Sequence, residues 1–164
     1  VTQPLVPAVY TRVAQAAHSL ALATGCFSAD VGHEPKSAPD DPAGLFLALW
    51  GSEVRPIQAS GMGVISVRLE IQLRIHRGML TDPQDAIDME VYNATHAVLA
   101  ALIGDSTLVT TDATLAGQVR MLDILGSDGD SLRAVPGYIT LGSTMFRVQD
   151  IFIPYVVNDV FQVG

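Results

Sequence analysis

The sequence holds one cysteine, Cys26, and one lysine, Lys36, among its 164 residues. A single thiol excludes an intrachain disulfide and every metal motif built on paired cysteines. It fits a reducing cytoplasm. Positive charge is scarce as well: 9 basic residues, eight of them arginine, face 17 acidic ones, for a net charge of −8. Without a basic cluster the chain is poorly suited to grip nucleic acid, because phosphate binding needs gathered Lys and Arg. An acidic chain can still surround DNA without holding it. Long apolar runs are missing too. The longest, Ala97 to Ile103, falls far short of the ~20 residues of a membrane span, and no basic-then-apolar leader is read at the start. No membrane partner is expected. Yet the chain is 49% hydrophobic and 16% charged, with a mean hydropathy of +0.34. That apolar excess is expected to be buried between subunits.

What is present is a long alternation, Val64 to Arg77. Ile65, Val67, Leu69, Ile71, Leu73 and Ile75 fall on one side of an extended chain; Ser66, Arg68, Glu70, Gln72, Arg74 and His76 fall on the other. This period of two predicts a half-buried β-strand. At ~3.3 Å per residue it spans roughly 45 Å, well beyond an ordinary strand. Its own domain is not expected to cover all of it.

Around this strand the rest reads in order. Val9, Val13, Ala16, Ala17 and Leu20 predict a helix over 8–24, stopped at Gly25. Residues 27–44 are rich in Pro, Asp, Ser and Gly and predict a long exposed loop. Strands are expected over 45–50 and 53–59, Pro56 marking an edge or bulge, with a turn at 60–63. Asp82 reads as the N-cap of a second helix, with Pro83 at its first position and Asp85 at the positive end of the dipole. That helix runs to about Ile103. Ile87, Val91, Ala94, Val98 and Leu102 form its main stripe, and Tyr92, His96, Leu99 and Ile103 a neighbouring one. Residues 109–116 read as irregular and 117–125 as a strand. Residues 132–141 read as a hairpin around Pro136-Gly137, and 145–157 as a last strand with Pro154 on an edge. The sum is one α+β domain over residues 1–164: a mainly antiparallel sheet with one long central strand and two main helices on one face.

Chemistry-bearing patterns are thin. Gly61-Met-Gly63 lacks the third glycine of a dinucleotide fingerprint and precedes a strand rather than a helix, so a turn is the reading. No P-loop, nucleophile elbow or His-Glu-x-x-His occurs. His18, His33, His76 and His96 are scattered, and His96 reads as a core or interface histidine. His33 with Glu34, Asp40 and Asp41 could bind a metal, but a solvated loop is the plainer reading. Asp85 and Asp88 could share a proton or ligate a metal; the helix dipole and surface solvation account for them. Asp128-Gly-Asp130 is too short for an EF-hand. Cys26 follows a helix C-terminus, which disfavours a thiolate. Neither catalytic residues, cofactors nor metals are expected, and the chain does not read as an enzyme.

The middle and C-terminal order resembles the tail terminator proteins of long, non-contractile-tailed bacteriophages, of the type found in phages of actinobacteria. The residues that carry the resemblance begin with the strand ending Leu73-Arg-Ile-His-Arg77 and with Pro83-Gln-Asp-Ala-Ile-Asp88. They continue with Gly117 to Gly126, Leu132 to Tyr138, Phe146-Arg-Val148 and Ile153 to Asp159. The resemblance covers roughly Ala43 to Val160. It implies a homohexameric ring at the head–tail junction of the virion, assembled in the host cytoplasm. Such a ring caps the tail tube, stops its polymerisation and presents a surface to the head-completion or connector protein. Its partners would be copies of itself, the major tail tube protein and that connector, with DNA passing through unbound. An acidic wall suits such a channel, since lysines would brake the duplex.

Two other readings stay open: another neck or tail-tube protein, and a small enzyme with a dispersed active site. For the ring, the polar face of the long strand (Arg68, Glu70, Arg74 and His76) is expected at a subunit boundary or on the bore, with Asp82, Asp85 and Asp88 as candidate acceptors for its arginines. The loop carrying Ser37, Asp40 and Asp41 is expected to dock on a neighbouring ring.

Overall fold

A computed structural model describes residues 8–40, 43–57, 63–79, 82–121, 124 and 131–162. In chain order its elements are α1 (Ala8–Leu22), β1 (Ala29–Val31), β2 (Leu45–Pro56), β3 (Val64–Gly78), α2 (Gln84–Gly104), a short 3-10 turn (Ala113–Leu115), β4 (Val119–Met121), β5 (Arg133–Leu141) and β6 (Thr144–Gln162). The fold is α+β. The strands form one sheet in the order β1-β2-β3-β6, and the far edge of β6 is shared by β5 and β4. Among the described residues only the β1–β2 pairing is parallel.

The alternation in β3 decides the layers. Leu73 lies opposite Leu49 on β2 and Ile151 on β6, and Ile75 lies opposite Leu47. These rows make one apolar face, and both helices cover it. From α1 come Val13, Ala16, Ala17 and Ala21; from α2 come Ile87, Val91, Ala94, Val98 and Leu102, the whole main stripe. The alanines of α1 let that helix lie close. Truncating any large member of this core to alanine is expected to cost about 2–5 kcal/mol.

Several local expectations are corrected. Residues 45–56 form one strand, because a bulge at Gly51–Glu53 absorbs the extra residue without breaking the ladder. The expected turn at 60–63 lies, apart from Gly63, outside the described residues. Residues 133–141 are straight, and the hairpin is β5–β6, turning at Gly142 with φ 62°. Pro154 sits in the interior of β6, not on an outer edge. It falls where β5 has ended, opposite Phe152, and β4 has not begun, opposite Tyr155, so that side of the strand needs no N–H there. The strand expected over 117–125 is described only as Val119–Met121.

Residues 27–44 are not simply a loop. They contain β1, then a strap in which Pro35 is buried and Ala38 packs against Leu141, Phe146 and Val148. The residues that meet the sheet are apolar and small, while Ser37 and Asp40 point outward. Asp41 lies outside the described residues. At α2 the N-cap is Pro83, with no side-chain cap. Asp82 is drawn away from the helix end by Arg77, its ion-pair partner.

Candidate functional site

The even-numbered face of β3 was the face singled out by sequence, and its registered neighbours build it row by row. At one end Phe46, His76 and Val148 share a row. The His76 ring sits 4.9 Å from the ring of Phe46 and edge-on, 5.9 Å, to Phe146. Its Nδ1 lies 3.2 Å from the Phe46 carbonyl, and its Nε2 is buried without a hydrogen-bond partner among the described residues. Burial pushes the His76 pKa down to about 4, against the opposing pull of that carbonyl.

One row further, Arg74 lies opposite Ala48 and Asp150. Its Nε and Nη2 donate to the two Asp150 carboxylate oxygens at 2.6 and 3.2 Å. The guanidinium sits 5.3 Å from the centre of the Trp50 ring. In the next row Arg133 lies 4.3 Å over the Phe152 ring. Arginine planes laid on aromatic rings in this way gain cation–π attraction while keeping their donors free for carboxylates. Towards the far end Arg68 Nη2 lies 3.4 Å from Glu70 Oε2, and the Ser52 hydroxyl donates to Glu70 Oε1 at 3.0 Å.

The polar face is therefore largely covered within the chain. Arg68, Glu70 and His76 are buried, and Arg74 is 14% exposed. The candidate acceptors at the helix start belong to the opposite layer. Asp82 and Glu90 hold Arg77, which sits at an odd, helix-facing position of β3, and Asp88 accepts from Arg147 Nε at 3.0 Å. Asp85 accepts from the Ala86 N–H. None of the three reaches Arg68 or Arg74 in a described contact. The structure also brings in Arg77, Glu90, Arg147 and Asp150, which sequence reasoning passed over. Arg77 carried a usable signal: an arginine at a core register position needs a carboxylate nearby.

His96, expected in a core or interface, is exposed in the chain, as is Tyr92 at 71%. With Thr95, Leu99, Leu132 and Ala134 they line a groove between α2 and β5. A second groove lies between α1 and β2, where Tyr10, Thr11 and Ala14 face Gly51, Val54 and Leu69. Each groove runs beside an edge of the sheet that pairs with no further strand among the described residues. Among the described residues no three His, Cys, Asp or Glu side chains gather as a metal site. No described helix is long and apolar enough to cross a membrane.

No protein-family model matches the chain, and none of the curated proteins matches it. Among solved structures, one to which it is similar is described as the sheath/tube terminator of an extracellular contractile injection system, PVC, in its extended state. The TM-score is 0.38 at 13% identity, over 100% of this chain and 61% of that one. This chain thus spans less than two thirds of that structure, and a likeness at this level carries no functional argument.

Proposed function

We propose that the chain is a ring-forming structural subunit of a phage tail: a terminator that caps the tail tube, ends its polymerisation and joins it to the head connector while DNA passes through. The observation that carries this reading is the ordered sequence resemblance over residues 43–160. The stretches that bear it are strands β3, β4, β5 and β6 and the start of α2, so the resemblance concerns the sheet rather than scattered surface residues. Physical features support the reading. Among the described residues the sheet leaves edges open on both sides, each beside a groove that includes apolar side chains, as a subunit with two neighbours requires. Arg68, Arg74, Arg77 and Arg147 are engaged by carboxylates of the same chain. The charge left outward is mainly acidic, which suits a wall that must not hold DNA.

In this reading the subunit forms a homohexamer at the head–tail junction and touches the major tail tube protein on one side and the head-completion or connector protein on the other. It is not an enzyme and needs no cofactor. The outward side of the strap, with Ser37 and Asp40, is the docking element. Purified protein added to growing tail tubes should halt their elongation, and a phage lacking it should make overlong tubes. Tubes that keep growing at saturating protein would count against the terminator and for a neck or tube subunit.

A further inference from the structure

We infer that successive copies of this chain join edge to edge, β4 and β5 of one copy lying antiparallel against β1 and the open end of β2 of the next. The inference deepens the ring reading and rests on it for closure. Strand sense carries the argument. β3 opposes β2, β6 opposes β3, and both β4 and β5 oppose β6. β1 runs with β2. One side of the sheet therefore ends in strands of one direction and the other side in strands of the reverse direction. Rotation about an axis running along the strands preserves direction, so each copy offers its neighbour an antiparallel edge at every height. A two-fold interface would instead set like edges together.

Apolar surface points to the same occupant, a second copy. On the helix side Val54, 51% exposed, stands beside one edge, and Tyr92, 71% exposed, stands beside the other. In the opposite layer β4 and β5 bring Arg120 and Arg133 with no carboxylate on either strand, while Glu53 and Arg55 on β2 pair with each other within the chain. The bulge at Ser52, Pro56 and Pro136 shorten what either edge can pair. Indiscriminate stacking is hindered, and specificity falls to the grooves.

The test uses two exposed positions, Val54→Asp for one edge and Tyr92→Asp for the other, on the full chain. Light scattering after gel filtration reads the mass, and thermal melts check that both variants keep the wild-type transition. Each variant alone should lose the ring and run as a monomer, because every contact would include an altered edge. An equimolar mixture should form a dimer through the one intact pair of edges. Rings from either variant, or a mixture that stays unassociated, would overturn the edge pairing. If the variants behave as expected but wild-type protein does not stop tube growth, the pairing stands and the terminator reading falls. If wild-type protein stops tubes while both variants still form rings, the reverse holds.

Discussion

Arg74 and Asp150 stand directly opposite each other on β3 and β6, joined by two hydrogen bonds, with Trp50 beneath the guanidinium. The fork closes within one subunit. Arg74 therefore serves first to fix the register of the two longest strands, and a role between subunits would be secondary.

Arg74→Ala should lower subunit stability by about 2 kcal/mol, the usual worth of hydrogen bonds to a charged group. Asp150→Ala should cost a similar amount, and the double variant much less than the sum. Urea melts of the single and double variants measure this. Additive losses would mean that the pair is not coupled.

The two faces of β3 should respond differently to substitution. Leu69 is buried under the helices, so Leu69→Asp should unfold the subunit, since an unpaired buried carboxylate costs several kcal/mol. Glu70→Gln keeps the fold but weakens the contacts to Arg68 and Ser52, so a loss of about 1–2 kcal/mol is expected. Thermal melts at neutral pH separate the two effects.

His76 gives a pH signature. Its folded-state pKa, about 4, lies below the ordinary value of 6.5. Between these values the unfolded chain binds the extra proton, so the stability that neutral His76 contributes is complete above about pH 6.5 and is lost as pH falls towards 4. At pH 5 the loss should be about 2 kcal/mol. Arg74 and Asp150 act on the ring with opposite signs and partly cancel. His76→Phe should flatten this part of the stability–pH curve, measured as the difference between variant and wild type. Parallel curves would show that His76 does not titrate as described.

The outward side of the strap offers a fourth test. The double variant Ser37→Arg, Asp40→Arg leaves Pro35 and Ala38 in place, so melting should be unchanged while joining to tail or head falls, read as virion yield. Normal yield would remove the strap from the docking surface.

The main frame was legible because it follows from periodicity. The alternation of β3 and the 3.6-residue stripe of α2 each place apolar residues on one face, and Val67 to Ile75 and the whole α2 stripe are buried there; the alternation did not show that the other face of β3 is largely buried as well. Local exceptions were less legible because they depend on what lies across the sheet. Nothing around Ser52 says that an extra residue will bulge rather than break a strand. Pro154 looked like an edge signal because sequence does not show the gap between β5 and β4. The polar face of β3 read as a subunit boundary or a bore surface because Asp150, the strap and the aromatic rings that cover it come from distant segments. The stripe of Tyr92, His96, Leu99 and Ile103 was legible as apolar, but the chain's own core uses little of it.

The ring claim meets its most direct test in the mass of the purified protein in solution, read together with electron micrographs of the same sample. A single closed ring of fixed size, unchanged as concentration rises, is the expected result. Open tubes that lengthen with concentration, or a monomer at every concentration, would contradict it.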